Sequence, residues 1–130
     1  MSAFWDTNVF VYAFIGGPKQ QIARARLTAG GRISVQVLNE FASVMSKKMR
    51  QPWREVERFL SVIRVRFPSA APLTLETHAA AVALARDHSL VFYDALILAA
   101  AIEAGCETLY SEDFQHGQRF GELRVVNPFL

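Results

Sequence analysis

Four acidic residues of this sequence stand at points where a carboxylate can take part in chemistry. Asp6 follows the apolar pair FW, Glu40 lies in VLNEF, Asp94 precedes the apolar run ALILAAAI, and Asp113 follows LYSE. Each acid alone fits an ordinary turn, helix cap or surface position, because short polar side chains cap helices and close turns. A cluster of ionised carboxylates, however, needs protons, basic partners or a metal ion.

The apolar pattern along the chain predicts the elements that position these acids. Short strands and helices alternate, which predicts an α/β fold with a mainly parallel, five-stranded sheet between two helical layers. In such a sheet the strand ends and the starts of the following helices share one edge, where ligands bind. We expect the four acids there, and Asp87, at a helix end, elsewhere. The predicted strands are 2–5, 32–36, 71–76, 107–111 and 123–129, and the predicted helices are 8–15, 19–29, 37–49, 53–67, 77–89 and 94–105.

Length and composition limit the class of protein. A chain of 130 residues, 52% hydrophobic and 20% charged, is typical of one soluble globular domain. The single cysteine, Cys106, excludes an intrachain disulfide and fits a reducing compartment. The longest apolar run, 95–102, is too short to span a membrane. A cytoplasmic protein with no membrane partner is therefore expected.

Basic residues are concentrated in one part of the chain. Residues 19–66 contain eleven Lys or Arg and three acids, whereas the remainder contains three basic residues and nine acids. Ordinary solvated helix faces and a polyanion-binding surface both fit this pattern. No interleaved stacking motif or recognised nucleic-acid module accompanies it, and the helix 53–67 is predicted to bury a stripe that begins with Trp53. The candidates for phosphate contacts are Lys47, Lys48, Arg50 and Arg54.

No lysine or histidine in the motifs around the four acids is placed to neutralise them. A hard cation that prefers oxygen ligands, such as Mg²⁺ or Mn²⁺, is the remaining way to hold these carboxylates together. The sequence therefore predicts a divalent metal site.

The motifs DTN, VLNEF, YDALILAAA and LYSEDF, in this order, resemble those of PIN-domain ribonucleases, in particular the VapC-type toxins of toxin–antitoxin pairs. The resemblance covers essentially the whole chain and implies one PIN domain over residues 1–130. It matches four positions to the family's acidic quartet, one to the polar residue after the first acid, and one to the hydroxyl two before the last acid. These are Asp6, Glu40, Asp94 and Asp113, then Asn8, then Ser111.

The sequence departs from the family pattern at two places. The family commonly has threonine where Ser111 stands, and some members have a further aspartate where Gln115 and His116 stand. The ligands of a second metal ion are therefore left open. Glu112 is expected to point away from the metal, and His116 is expected to be a loop histidine rather than a general base.

The resemblance implies a metal-dependent endoribonuclease that hydrolyses RNA phosphodiester bonds with Mg²⁺, for which Mn²⁺ substitutes. The three aspartates are expected as direct or water-bridged ligands, and Glu40 as a ligand of a second ion or as the residue that orients the attacking water. Asn8 and Ser111 are expected to hydrogen-bond the carboxylates.

The resemblance also implies a homodimer and a small antitoxin whose C-terminal segment lies in a groove near the site, in a toxin–antitoxin hetero-oligomer. Val62 and Val65 extend the apolar surface of the helix 53–67 beyond one face, as such a groove requires. Deeper packing of that helix is the alternative.

Other classes of protein fit the sequence less well than a nuclease does. A haloacid-dehalogenase-type phosphatase needs an aspartate where Asn8 stands, and a receiver domain needs a lysine near the last strand, where none occurs. A non-catalytic PIN scaffold that binds only a protein or RNA partner stays open, although the loss of an acid that would favour it is not seen.

Overall fold

Three short parallel strands with apolar inward faces form the centre of the fold. In the computed structural model, which describes residues 2–130, a further short strand pairs antiparallel at one edge, and the strand order is β1-β2-β4-β3. Phe4, Leu109 and Val125 stand side by side in register and are fully buried. The strands are β1 (Ala3–Trp5), β2 (Thr108–Tyr110), β3 (Arg119–Phe120) and β4 (Leu123–Val126).

Helices flank this sheet, and the most deeply buried of them is the last. Its residues 95–101 are all buried, as expected for a helix that is apolar on every side. The helices are α1 (Thr7–Phe14), α2 (Gln20–Leu27), α3 (Val35–Ser43), α4 (Trp53–Arg66), α5 (Leu75–His88) and α6 (Phe92–Glu103), and a π-helical segment (Val44–Lys48) continues α3. The predicted α/β fold, with a mainly parallel sheet flanked by helices, is confirmed.

The second face of the sheet is covered by an aromatic stack. Trp5 of β1 and Tyr110 of β2 lie opposite each other with their ring centroids 4.4 Å apart, and the Arg26 guanidinium lies 5.2 Å from the Tyr110 ring. Gly31 allows this packing, because a Cβ there would lie 2.6 Å from the carbonyl oxygen of Ala3. The stack fixes the last residues of β1 and β2, and the polar residues Asp6 and Ser111 follow them at the edge of the sheet, which we call the polar edge.

The prediction of five strands is wrong, because two of the predicted strands are reduced to isolated bridges. Arg32 pairs with Phe4, but the Ser34 hydroxyl then accepts a hydrogen bond from the N–H of Val37 and starts α3. In the predicted strand 71–76 only Ala71 forms a bridge, since Thr74 caps α5. The two-residue strand β3 was not predicted, because it is too short to show alternation.

Two residues near helix starts lie differently from the prediction. The helix α6 begins at Phe92, so Asp94 lies in its first turn and does not cap it. Trp53, predicted to be buried, is 61% exposed, because it is the first residue of α4 and extends beyond the packed stripe. Val62 and Val65 are both exposed, so α4 is not packed more deeply than one face requires.

In the described part of the chain, no helix combines the length and the apolar character needed to cross a lipid bilayer.

Candidate functional site

Asp6 is the buried centre of the polar edge. It follows β1 directly and caps α1, and its side chain is 1% exposed. The N–H of Thr7 donates to Asp6 Oδ1 at 2.7 Å, and the Ser111 hydroxyl donates to Asp6 Oδ2 at 2.6 Å. Asp6 and Ser111 meet because they follow Trp5 and Tyr110, which are paired in parallel register. The sheet itself therefore brings these two residues together.

Ser111 connects Asp6 to the loop that follows β2, and Asn8 connects α1 to the same loop. The Ser111 hydroxyl accepts a hydrogen bond from the N–H of Asp113 at 3.0 Å, and Asn8 Nδ2 donates to Asp113 Oδ2 at 3.0 Å. Asn8 lies on α1, two residues after Asp6, and its Oδ1 atom is buried without a hydrogen-bond partner in residues 2–130. Asp113 is exposed, but it is held from two sides.

Glu40 and Asp94 approach the same edge from two helices that pack against each other, α3 and α6. Both side chains are half-buried, and Gln36 Nε2 donates to Glu40 Oε2 at 3.1 Å. Burial raises the pKa of Glu40, and the charges of Asp94 and Asp113 raise it further. Asp113 contributes to the raised pKa of Asp6, Glu40 and Asp94, so the four predicted acids lie near one another.

The electrostatics of the site are those of acids without a counter-ion. Burial raises the pKa of Asp6 to about 7. The charges of Asp113 and Glu40 also raise this pKa, whereas the hydrogen bonds from Ser111 and Thr7 lower it. Burial and Asp113 raise the pKa of Asp94 to about 6. Within residues 2–130, no basic side chain lowers the pKa of Asp6, Glu40 or Asp94. A bound cation would supply the missing compensation.

The donor set suits a hard divalent cation, although it is not assembled around one point. Carboxylate oxygens and the unpartnered Asn8 Oδ1 are the ligand types that Mg²⁺ and Mn²⁺ take. Across residues 2–130, no three His, Cys, Asp or Glu side chains form a ready-made metal-binding group. These carboxylates could hold an ion directly or through bridging water, since Mg²⁺ usually keeps several waters in its coordination shell.

Glu112 belongs to a different cluster. Lys19 Nζ lies 2.7 Å from Glu112 Oε2, and the Tyr12 hydroxyl donates to Glu112 Oε1. Lys19 also lies over the rings of Tyr12 and Phe129, at 4.7 and 5.2 Å from their centroids. Lys19, at the start of α2, thus compensates Glu112, and Tyr12 ties the loop that carries Asp113 to α1. Sequence reasoning missed Lys19 and Tyr12, because 93 and 100 residues separate them from Glu112.

The remaining candidates lie outside the acidic cluster. His116 Nδ1 accepts a hydrogen bond from the N–H of Asn127 at 3.0 Å, which ties its loop to the C-terminal segment. Asp87 is exposed on α5 and pairs with Arg86 at 2.7 Å, and this guanidinium lowers the pKa of Asp87.

The sequence of this chain matches the family model of the PIN domain over residues 3–119. The chain belongs to the PIN domain family. The resemblance inferred from the four acidic motifs is confirmed. None of the curated protein sequences gives a significant match.

Three solved structures are similar to this PIN domain. A toxin–antitoxin complex from Klebsiella pneumoniae is 28% identical, covers 98% of each chain and has a TM-score of 0.70. The sarcin–ricin loop cleaving toxin VapC20 of Mycobacterium tuberculosis is 20% identical over 86% of this chain and 90% of its own, with a TM-score of 0.72. VapBC2 from Rickettsia felis, in a structure bound to a DNA fragment from its promoter, is 22% identical over 96% of this chain and 97% of its own, with a TM-score of 0.70.

Proposed function

We propose that this PIN domain is a divalent-metal-dependent endoribonuclease and the toxin of a toxin–antitoxin pair. One observation carries the proposal: Asp6, Glu40, Asp94 and Asp113 lie close together, burial and neighbouring carboxylates raise the pKa of the first three, and no basic side chain in residues 2–130 lowers it. The similarity of this chain to a toxin–antitoxin complex and to a sarcin–ricin loop cleaving toxin supports the same proposal.

Each side chain has a distinct part in the proposed hydrolysis. When bound, Mg²⁺ or Mn²⁺ would lower the pKa of a water molecule and would stabilise the charge that develops on the phosphate oxygens. Asp6, Asp94 and Asp113 would hold this ion, and Glu40 would orient the attacking water or take a second ion. Ser111 and Asn8 fix the oxygens of Asp6 and Asp113 through the hydrogen bonds described above.

Purified protein is expected to cleave single-stranded RNA in Mn²⁺ or Mg²⁺ and to stop in EDTA. The family resemblance adds that the products carry 5′-phosphate and 3′-hydroxyl ends, which end-specific labelling detects. Asp6→Asn should be inactive, whereas Asp87→Asn, which changes an exposed acid outside the cluster, should cleave like wild type. Full cleavage in EDTA would contradict the metal requirement. Absence of cleavage in every metal, with wild type freed of antitoxin, would favour the non-catalytic scaffold.

We infer that an antitoxin segment binds a groove between α1, α2 and α4. The groove holds about 340 Å³ and is lined mainly by apolar side chains, including Phe10, Phe14, Leu27 and Val62. Val62 is 48% exposed, so Val62→Lys should leave the fold intact and weaken the complex with co-expressed antitoxin at least tenfold, because a desolvated charge is costly. The matched control is Val82→Lys on α5, where the valine is 45% exposed. Equal antitoxin affinity in both variants would exclude this groove.

The expected homodimer and cytoplasmic location belong to the same proposal. Size-exclusion chromatography with light scattering measures the oligomeric state of the free toxin. A monomer at micromolar concentration would contradict the homodimer. A single buried cysteine and an RNA substrate fit a reducing, RNA-containing compartment.

A further inference from the structure

An exposed tryptophan is flanked in sequence by basic residues where a turn joins the π-helical segment to α4. Trp53 is 61% exposed, and the four basic residues within six positions of it are exposed as well. None of the four forms an ion pair within residues 2–130, whereas Arg58, one turn further along α4, pairs with Glu55. We call this surface the turn patch; it consists of Lys47, Lys48, Arg50, Trp53 and Arg54.

The turn between the two helical segments is well defined. The N–H of Met49 donates to the carbonyl of Val44 at 3.0 Å, and the N–H of Gln51 donates to the carbonyl of Met45 at 2.9 Å. Met45 is fully buried and anchors the turn in the core. The patch is therefore presented on a fixed backbone.

Helix stability does not explain the composition of the turn patch. Lys47 and Lys48 lie at the C-terminal end of a helical segment, where positive charge is favourable by about 0.3–1 kcal/mol. Arg54 lies in the first turn of α4, where the same effect is unfavourable. Trp53 gains little from burial, since more than half of its surface stays in water. Arg54 and Trp53 are better explained by a ligand than by the fold.

We propose that the turn patch binds single-stranded RNA, with one base stacked on the Trp53 indole and phosphates held by the basic side chains. Exposed aromatic rings beside a basic surface form this type of site, because every base has a π face and every nucleotide a negative phosphate. The inference rests on the proposed ribonuclease function for the identity of the strand. It adds a substrate-binding surface to the acidic edge.

The turn patch and the acidic edge are joined by one helical element. Glu40 on α3 and Lys47 on the π-helical segment that continues it are seven residues apart, or roughly 10 Å along the helix axis. A strand held at the patch can therefore also reach the acids. A protein partner fits the patch less well, since lysine is depleted at the centres of protein interfaces.

The test measures binding of a fluorescein-labelled single-stranded RNA of mixed sequence to the full chain in EDTA, across a range of salt concentrations. Trp53→Ala should bind roughly 5- to 100-fold more weakly at every salt concentration with an unchanged salt slope, and Trp53→Phe should retain most of the affinity. The double variant Lys47→Gln/Lys48→Gln should reduce the slope of log K against log salt by about 1.4. Arg86→Gln, which removes one exposed positive charge on α5, should behave as wild type.

Wild-type affinity and slope in the Trp53 and lysine variants, with unchanged melting temperatures, would overturn the proposal. Loss of the homodimer or of the antitoxin complex in Trp53→Ala, with RNA binding intact, would also overturn it and identify a protein interface. Because EDTA prevents metal-dependent cleavage, RNA binding is measured separately from catalysis. RNA binding that depends on Trp53 in a protein that never cleaves RNA would uphold the patch and refute the nuclease. RNA cleavage by a protein whose RNA affinity does not change in Trp53→Ala would refute the turn patch and support the nuclease.

Discussion

Asp94→Asn is expected to reduce RNA cleavage by on the order of a hundredfold or more while leaving the metal-free protein at least as stable as wild type. The α6 amino terminus attracts the Asp94 charge by about 0.3–1 kcal/mol. Burial and Asp113 nevertheless raise the pKa of Asp94 to about 6, so its charged form is disfavoured overall. Removing this charge relieves the repulsion and also removes a proposed metal ligand.

Thermal unfolding with EDTA and with Mn²⁺ separates these effects. Wild type should gain about 2.7 kcal/mol at a hundredfold excess of Mn²⁺ over its Kd, because the ion binds only the folded state. This gain corresponds to several degrees, at roughly 2–8 °C per kcal/mol. Asp94→Asn should show much less of the shift, and Asp87→Asn all of it. Equal Mn²⁺ shifts in wild type and Asp94→Asn would remove Asp94 from the metal site.

The metal-free protein is expected to lose stability as the pH rises from about 4 to about 7. Asp6 has a pKa of about 7 in the folded chain, against an ordinary value of 3.8. Below pH 4 the carboxyl is protonated in both states and folding carries no penalty. Between these pH values the unfolded chain releases the proton while the folded chain retains it, so the free energy of unfolding falls. The full decline attributable to Asp6 is on the order of 4 kcal/mol.

Asp6→Asn should flatten this decline. The amide keeps the geometry, because its oxygen can accept the Thr7 N–H and its nitrogen can donate to the Ser111 hydroxyl. Asp87→Asn is the matched control and should retain the wild-type decline, since Asp87 is exposed and Arg86 lowers its pKa. Urea unfolding in EDTA at several pH values measures the difference. A wild-type stability that is flat or rises from pH 4 to 7 would contradict a buried, uncompensated Asp6.

Mn²⁺ should reverse the pH dependence of wild type. Carboxylates bind a cation only when deprotonated, so a rising pH favours the metal-bound folded state. The same urea series with saturating Mn²⁺ should therefore show stability that rises through the range where the metal-free protein declines.

Much of the site was predictable from local sequence because its framework is a parallel sheet. The buried strands around Phe4 and Leu109 are apolar, and the residues that follow them, Asp6 and Ser111, must then share an edge. Glu40 was expected at the same edge because its helix follows the predicted strand 32–36, and it reaches the other acids from α3 although that segment forms only isolated bridges.

The rest depended on contacts between distant parts of the chain. The hydrogen bond from Asn8 to Asp113 joins residues 105 apart, and no periodicity reports such a contact. The predicted strand at 32–36 failed because the Ser34 side chain caps a helix more favourably than the segment extends a sheet. Trp53 was misplaced because apolar spacing does not show where a helix leaves the core.

Mn²⁺ binding to the free protein, followed by electron paramagnetic resonance, tests the proposed metal site most directly. Wild type and Asp87→Asn should bind Mn²⁺ with the same affinity, and Asp6→Asn, Asp94→Asn and Asp113→Asn should each bind at least tenfold more weakly. Mg²⁺ should displace the bound Mn²⁺. Equal Mn²⁺ affinity in all five proteins, or no binding by wild type at millimolar Mn²⁺, would contradict a metal site built from these acids.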